Sequence, residues 1–408
     1  MDSPYRPGFG ARPAVLVGRE TQLARAEAVL TRVANSGEAG TSIVLTGARG
    51  LGKTVTLGVI GDRALARGFV VATVTLDRVS DNVQMLATAV GEAVSPLHRG
   101  ERARSEFWRK VKDRLGALSI EVNAGVVKIV ADALDHAPRA TVTVQRQVLA
   151  DLLQNAARAA RERERHGLVL LLDELQEPPE EELVVLSNAI QDAGKASGIP
   201  LAIFAAGLPQ TPELVMAAAS FTERFDFRSL GRLDADAAER ALVEPALGLN
   251  VHWDTDAAEL ALHEAGGSPY LIQLIGEESW MQAHPDAGTS IRLQHVQAAA
   301  VEVGESLDNG MFRGRWAKAT PVERAVIVAI ADTANTDGVA TTGAISTALG
   351  VQARQWSMAR QSLIDKGMIE PAGRGRLRFT MPGFAAFVEK VAAAGEGDPG
   401  HVAKSRLF

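Results

Sequence analysis

Short apolar runs alternate with stretches of helical periodicity over the first 230 residues of the chain. The apolar runs predict strands at 42–46, 70–76, 168–172, 201–206 and about 225–230, with helices between them. The run 168–172 reads Leu-Val-Leu-Leu-Leu, and a continuously apolar strand is typical of a parallel sheet covered on both faces. The pattern therefore predicts an α/β fold built on a parallel sheet.

A long connection separates the second and third predicted strands. Residues 77–167 are too many for a plain βα crossover, so we expect an insertion there. Within it, apolar residues on both sides of a turn predict a β-hairpin at 120–129. The segment 99–114 holds seven basic and three acidic residues, which fits either a solvated helix face or a surface for nucleic acid or a protein partner.

Helical periodicity dominates the second half of the chain. The pattern from 234 to 300 is wholly helical and predicts a small lid. Helical patterns at 321–333, 341–349 and 353–366, followed by a glycine turn and an alternating strand at 373–379, predict a winged helix-turn-helix. The predicted domains are an irregular leader (1–13), a core (14–232) with the insertion at about 77–167, the lid (233–300), a linker (301–316), the winged helix (317–390) and a tail (391–408).

A glycine-rich segment directly follows the first predicted strand and reads G-x-x-x-x-G-K-T. Its glycines allow backbone N–H groups to face phosphate oxygens, and the helix that follows adds its positive N-terminal dipole. The lysine is placed to reach the β- and γ-phosphates, and the threonine hydroxyl to reach Mg²⁺. This spacing in this context predicts a site for a nucleoside triphosphate. The residues are Gly47, Ala48, Arg49, Gly50, Leu51, Gly52, Lys53 and Thr54.

Two carboxylates end the third predicted strand. Asp173 and Glu174 follow the apolar run, where a magnesium nucleotide needs an acidic group near the metal and a general base for the attacking water. We assign the metal-side role to Asp173 and the general base to Glu174. The alternative is a strand that merely ends in acidic turn residues.

Composition and charge exclude several classes of protein. The 408 residues are enough for two or three domains, contain no cysteine, and have a formal net charge of −6. The charge argues against a protein that coats nucleic acid, and no apolar run is long enough for a membrane span. Without a secretory signal or cysteines, the cytoplasm is the expected location. Residues 317–408 carry eleven basic and eight acidic residues, so this part is basic while the rest is acidic.

These motifs together resemble the AAA+ and STAND ATPases, most closely the prokaryotic branch related to origin-recognition and archaeal-type initiator ATPases. The resemblance covers about 15–387 and implies a P-loop NTPase parallel sheet of AAA+/STAND type with a helical lid and a C-terminal winged-helix domain. It also implies that Val17, Gly18 and Arg19 lie near an adenine, so the expected ligands are ATP and Mg²⁺. Pro269, in Gly267-Ser268-Pro269, is similar to the STAND G-x-P motif.

Two departures from the family pattern bear on catalysis. No arginine stands near the start of the lid motif, and the fourth strand ends Ala-Ala-Gly-Leu-Pro at 205–209, where the family commonly has a polar residue. Slow hydrolysis or switch-like behaviour is therefore expected. Arg224 and Arg228 are candidates for an arginine finger in a homo-oligomer, or else are surface ion-pair residues.

The predicted winged helix carries candidate contacts for double-stranded DNA. Six basic and two acidic residues lie between positions 352 and 378. The third helix would enter the major groove, and the wing would lie on phosphate or in the minor groove. The helix candidates are Gln352, Arg354, Gln355, Ser357, Arg360 and Gln361, and the wing candidates are Arg374, Arg376 and Arg378.

The sequence thus favours an ATP-binding switch whose nucleotide state controls a winged helix on DNA. One alternative is a regulatory scaffold with structural or slowly hydrolysed ATP that binds an unknown protein partner instead of DNA. The other is a DNA-binding regulator whose ATPase sets only its oligomeric state. No contact with a membrane is expected in any of them.

Overall fold

The computed structural model describes residues 1–8, 10–97, 120–123, 126–129 and 142–394, which divide into two compact units. The sheet unit comprises Glu20–Thr46 and Lys53–Ser229. The helical unit comprises Met1–Arg19, Gly47–Gly52 and the chain from Leu230 onward. The basic segment 99–114 and most of the predicted tail lie outside the described residues.

Five parallel strands form the centre of the sheet unit, in the order β2-β5-β6-β1-β7. The strands predicted from apolar runs are all present, and the prediction of a parallel sheet is confirmed. Strand β5 is buried along its whole length, as its continuous apolar sequence predicts. The strands are β1 (Ile43–Thr46), β2 (Val70–Thr75), β5 (Leu168–Asp173), β6 (Leu201–Gly207) and β7 (Asp226–Ser229).

Helices of the sheet unit pack on this sheet through small and branched apolar side chains. They are α1 (Glu20–Ser36), α2 (Lys53–Ala66), α3 (Asn82–Val94), α4 (Val142–Glu162), α5 (Glu180–Lys195) and α6 (Thr211–Ala218). Within the insertion, β3 (Ile120–Asn123) pairs antiparallel with β4 (Val126–Ile129), as the hairpin prediction requires. None of the described helices has the length and apolar composition needed to cross a bilayer.

The lid is mostly helical, but the prediction of a wholly helical segment at 234–300 is wrong. Two short strands, β8 (His252–Trp253) and β9 (Ser290–Ile291), pair in parallel between the helices. Their pairing supplies hydrogen-bond partners for backbone groups of two loops. His252 N donates to Thr289 O at 3.0 Å. Two residues are too few to show any alternation in sequence. The lid helices are α7 (Ala235–Leu247), α8 (Thr255–Ala265), α9 (Pro269–Ala283) and α10 (Leu293–Leu307).

The leader is irregular in backbone, yet it is anchored in the helical unit by Tyr5. The Tyr5 side chain is 2% exposed. Its hydroxyl donates to Leu242 O and accepts from Trp253 Nε1. Burial raises the pKa of Tyr5, although the bond from Trp253 acts in the opposite direction. A buried, fully bonded tyrosine fixes the first residues against the lid.

The C-terminal module, residues 313–393, combines short helices with a three-stranded antiparallel sheet in the order β10-β12-β11. The first and second predicted helices are present, but the third begins at Ser357 instead of 353. Trp356 is buried and its indole N–H donates to Ser346 Oγ at 3.0 Å, which holds the preceding residues in turns. The elements are α11 (Arg313–Ala317), α12 (Pro321–Thr333), β10 (Val339–Thr341), α13 (Thr342–Leu349), α14 (Ser357–Asp365), β11 (Ile369–Pro371), β12 (Arg376–Phe379) and α15 (Phe384–Ala393).

Glu323 connects helices α12 and α14 of this module. It completes a capping box with Thr320 at the start of α12, and its carboxylate accepts from Ser362 Oγ at 2.6 Å and from Lys366 Nζ at 2.6 and 2.8 Å. Burial by itself would raise the pKa of Glu323, but the bonds from Lys366, Ser362 and the Thr320 N–H outweigh it and lower the pKa below its usual value. Glu323 therefore holds α14 in place as a charged group.

We predict that Glu323→Gln destabilises the C-terminal module by about 2 kcal/mol at pH 7, since a buried charge-assisted network is lost. The folded-state pKa is lowered, so the contribution is present above the unfolded pKa, near 4.5, and is lost as the pH falls through the folded value. Urea denaturation at pH 7 and at pH 3 checks both statements.

Asp308→Asn is the control for that measurement. Asp308 pairs with Lys390, whose side chain is 69% exposed, and an exposed pair contributes little. An equal loss of stability in both variants, or a Glu323→Gln effect that persists undiminished at low pH, would contradict the role assigned to the Glu323 network.

Candidate nucleotide-binding site

The start of α2 and the end of β5 meet in the sheet unit. Thr54 Oγ1 donates to Asp173 Oδ2 at 2.7 Å, although 119 residues separate them. Lys53, the first residue of α2, is 8% exposed, and Asp173 is 6% exposed. The structure therefore brings together the two side chains to which the sequence assigned metal roles, and Lys53 directly precedes Thr54 on α2.

This pair of oxygens fits Mg²⁺. Magnesium prefers hard oxygen ligands and binds through few protein groups together with nucleotide phosphates. A hydroxyl and a carboxylate within hydrogen-bond distance supply one neutral and one anionic oxygen at the same place. Elsewhere in the described chain, no three His, Asp or Glu side chains are grouped to hold a metal ion.

Glu174 follows Asp173 in an unusual backbone conformation. Its φ is +54°, in the left-handed region that costs a non-glycine residue about 1 kcal/mol or more. Its N–H donates to Asp173 Oδ1 at 2.9 Å, and its Oε2 accepts from Gln176 Nε2. The chain thus turns sharply at the end of β5, and the Glu174 side chain is held by a residue two positions later.

The adjacent end of β6 has no polar side chain of its own, as the sequence indicated, but two polar groups reach it. Gln176 Oε1 accepts from Leu208 N at 3.0 Å, and Thr211 is fully buried beside Gly207. A Cβ at Gly207 would lie 2.2 Å from Thr211 Oγ1 and 3.0 Å from Gln176 Oε1. The glycine therefore leaves room for side chains from α6 and from the segment after β5.

Sequence reasoning missed both Gln176 and Thr211. The signal available for Gln176 was its position two residues after Glu174, but nothing in the sequence shows that its amide contacts β6. Thr211 gave no signal at all, because a single threonine at a helix start is ordinary.

The glycine-rich segment Gly47–Gly52 belongs to the helical unit. Gly47 is required there, because a Cβ would lie 2.5 Å from Leu230 O. Gly52 has φ of +81°, a conformation that favours glycine and turns the backbone into the start of α2. Of the remaining loop residues, Ala48 and Leu51 are buried, whereas Arg49 is exposed.

Arg19 holds the glycine-rich loop in place through hydrogen bonds to backbone carbonyls. It is 4% exposed, and its guanidinium donates to Gly18 O, Leu51 O and Gly231 O, each at 2.9 Å. Val17 is buried next to it. The segment that the resemblance places near adenine thus lies directly beside the glycine-rich loop within the helical unit.

The lid motif also contacts the loop. Ser268 caps helix α9 with Pro269 as its first residue, as the sequence predicted, and Tyr270 N donates to Gly50 O at 3.3 Å. A Cβ at Gly50 would lie 3.4 Å from Tyr270 Cβ and 3.8 Å from Met381 Sδ. The glycine-rich loop is therefore packed between the lid and the C-terminal module.

An arginine of the C-terminal module approaches the same loop. Arg315 donates to Gly367 O at 3.3 Å and to Thr380 Oγ1 at 3.1 Å. Burial, and to a smaller extent the charge of Arg49, lower the pKa of Arg315 to about 10. Within the described residues no carboxylate pairs with Arg315, and the charge that acts on its pKa is the like charge of Arg49.

The arginine-finger candidates differ in their surroundings. Arg228 is paired with Asp226 at 2.7 Å, and Arg25 donates to the same carboxylate at 2.9 Å. Burial would raise the pKa of Asp226, but the bonds from Arg228 and Arg25 lower it overall. Arg224 is exposed at the end of a short 3₁₀ turn. Arg228 thus has the ion pair that the alternative interpretation expected.

The DNA candidates lie at different places in the C-terminal module. Arg354 and Gln355 are exposed in the turns before α14, so they are not on the helix as predicted. Arg360 is half-buried on α14, and Arg374 and Arg376 are exposed around the β11–β12 turn. Arg378 is paired with Glu370 across the two strands at 2.7 Å.

Two segments of the chain match known protein families. Residues 15–204 match the AAA ATPase domain family, and residues 309–388 match a domain of unknown function, DUF8462. No curated protein sequence matches the chain. Solved structures with a similar fold include two ATPase-related proteins from archaea.

The Walker-type ATPase PABY2304 of Pyrococcus abyssi has a TM-score of 0.57 at 16% identity, covering 93% of this chain and 97% of that one. The ORC2 protein of Aeropyrum pernix, in ADPNP–ADP complexes, has a TM-score of 0.56 at 14% identity, covering 96% and 98%. The family match extends over β1, the glycine-rich loop and the Asp173–Glu174 pair. Residues 15–204 therefore match the AAA ATPase domain family, and the chain has the fold of these two solved proteins.

Proposed function

We propose that this protein is an ATP-hydrolysing switch whose nucleotide state controls its C-terminal module. The hydrogen bond between Thr54 and Asp173 supports the first half of the proposal, because it brings a hydroxyl and a carboxylate of the kind that Mg²⁺ prefers together at the end of β5. Lys53 binds the β- and γ-phosphates, and the N–H groups of the glycine-rich loop surround the phosphate oxygens. Mg²⁺ neutralises charge on the phosphates when bound.

Glu174 acts as the general base. It takes a proton from a water molecule as the water oxygen forms a bond to the γ-phosphorus, and the bond to the bridging oxygen of ADP breaks with its electron pair leaving on ADP. The products are ADP and inorganic phosphate. The first turn of α9, which follows the lid motif, contains no arginine. Fewer positive charges therefore stabilise the transition state of this step, and turnover is slow.

The packing of the glycine-rich loop supports control of the C-terminal module. A Cβ at Gly50 would be in van der Waals contact with Met381 Sδ, and Arg49 is close enough to Arg315 to lower its pKa. A phosphate bound by the loop reduces the repulsion between these two arginines. Nucleotide can therefore favour one arrangement of the module through contacts made in only that state.

Arg232 joins the lid to the module. Its guanidinium donates to Gly266 O at 3.0 Å in the lid, and to Phe379 O at 3.0 Å and Thr380 O at 3.1 Å in the module. Burial, followed by the charge of Arg378, lowers its pKa, while Glu370 partly compensates. This side chain is one connection through which lid and module act together.

We infer that the module is a winged helix that contacts duplex DNA. Its helices α12 to α14 and its three-stranded antiparallel sheet have the element order of that domain, and Arg354, Arg374 and Arg376 are exposed. These charges suit phosphate contacts, which position a protein on DNA and make its affinity depend on salt.

A second candidate function is a scaffold that binds a protein partner through the same module. Met358, on the first turn of α14, is 85% exposed, and an exposed methionine suits a protein surface better than a DNA groove. Arg378 is already paired with Glu370. In this scheme ATP is structural or slowly hydrolysed, and duplex DNA is not bound.

Lys53→Ala is predicted to abolish ATP binding, raising Kd at least 100-fold, while the fold is retained. Thr54→Val and Asp173→Asn are predicted to keep ATP binding but to lose its dependence on Mg²⁺. Isothermal titration with ATP, in Mg²⁺ and in EDTA, measures each effect. Lys195→Ala, which changes an exposed lysine on α5, is the control, and unchanged affinity in Lys53→Ala removes the phosphate-binding assignment.

DNA binding is predicted to fall steeply with salt and to change when ATP is added. Replacing Arg374 and Arg376 with alanine should lower the slope of log affinity against log salt by about 2. Fluorescence anisotropy of a labelled duplex measures the slope, with Arg240→Ala on α7 as the control.

Arg232→Ala should leave DNA binding intact but insensitive to ATP. No binding of duplex at low salt would favour the scaffold instead.

A further inference from the structure

Gln176 occupies an unusual position between two strand ends of the sheet unit. It is 5% exposed, which is rare for a glutamine unless its amide is fully bonded. Its amide contacts the residue that follows β6 on one side and the carboxylate that follows β5 on the other. A buried amide that bonds both the segment after β5 and the segment after β6 suggests a role other than filling space in the core.

The orientation of the Gln176 amide is determined by its partners. Leu208 N is a donor, so the amide atom facing it at 3.0 Å must be the oxygen. The amide nitrogen then faces Glu174 Oε2 and, at 3.1 Å, Glu177 Oε1. The N–H groups are thus directed at carboxylates by a backbone contact that does not depend on Glu174.

Glu174 needs such a support. Its side chain has three rotatable bonds, and a general base is effective only when its carboxylate is held at the proton that it accepts. The backbone conformation at Glu174, with φ of +54°, fixes the direction in which the side chain leaves the chain. The hydrogen bond that Oε2 accepts from Gln176 holds the far end of the side chain.

Two further observations concern the end of β6, next to the Gln176 amide. Gly207 leaves no room for a side chain on β6, because any Cβ would contact Thr211 and Gln176. Thr211 Oγ1 is buried and, within the described residues, has no hydrogen-bond partner. The end of β6 is thus shaped around the Gln176 amide and contains an unsatisfied hydroxyl that a bound water or phosphate oxygen can satisfy.

We propose that Gln176 is the positioning residue for Glu174: anchored by the N–H of Leu208, it orients the Glu174 carboxylate for proton transfer from the attacking water. The inference rests on the proposed ATPase function and adds to it the side chain that couples β6 to the general base. Gln176 does not touch the reacting atoms itself.

Two substitutions of Gln176 distinguish the role of its amide oxygen from the role of its amide nitrogen. Gln176→Glu keeps an oxygen for Leu208 N but cannot donate to Glu174, whereas Gln176→Met removes both contacts at similar size. The positioning role predicts that both variants lower kcat for ATP about 10- to 100-fold, with KM and the Kd for ATP unchanged. Gln191→Glu, the same substitution on α5, where Gln191 accepts from exposed Lys195, is the control and should match the wild type.

A double-mutant cycle with Glu174→Gln completes the test. When Gln176 acts only through Glu174, Gln176→Met has no further effect on kcat in the Glu174→Gln background. A Gln176→Glu variant as active as the wild type means that the amide merely caps β6, and overturns the proposal. Raised kcat in either variant also overturns it, since the bond would then restrain the base.

The same measurements distinguish this proposal from the function on which it rests. Wild-type protein without turnover sensitive to Glu174→Gln would refute the ATPase and with it the positioning role. Wild-type turnover that depends on Glu174 but is unaffected by both Gln176 substitutions would refute only the positioning role.

Discussion

The meeting of three parallel strand ends at one edge of the sheet is the constraint on which the nucleotide chemistry depends. Strand β6 lies between β1 and β5, so β1 leads into the glycine-rich loop, β5 ends in Asp173, and β6 ends in Gly207 at the same edge. Parallel pairing makes this unavoidable, because all carboxyl ends then point the same way. The contact between Thr54 and Asp173, far apart in sequence, follows from that geometry.

Burial gives these polar groups their importance. Lys53, Asp173 and Gln176 are each less than 9% exposed, and polar side chains in such surroundings lose much of their stabilisation by water. Hydrogen bonds compensate: Asp173 accepts from Thr54 and from Glu174 N, and Gln176 joins two strand ends. A network that is bonded in this way is rigid, which suits groups that must meet a phosphate without reorganising.

The helical unit uses arginines for a different purpose. Arg19 and Arg232 each bond three backbone carbonyls, and so they join segments that are distant in sequence. Arg315 also bonds a carbonyl, but its charge is opposed by that of Arg49. Two of these side chains therefore hold the unit together, while Arg315 lies close enough to the glycine-rich loop for the charge of Arg49 to lower its pKa.

The predictions that failed share a physical cause. The strands β8 and β9 are two residues long, and helix α14 starts late because Trp356 is buried against Ser346. Neither feature leaves a periodic signal. The leader was correctly expected to be irregular in backbone, but the anchoring of Tyr5 depends on Leu242 and Trp253, which lie more than 230 residues away.

The sequence by itself determined the parallel sheet, the glycine-rich loop after β1 and the carboxylates at the end of β5. Each of these is encoded in a contiguous segment, through apolar runs or through residues at fixed spacing. Only the tertiary structure decided which side chains complete the site. Gln176, Arg232 and Arg315 act through contacts with distant backbone groups, and such contacts depend on how elements pack, which no local pattern records.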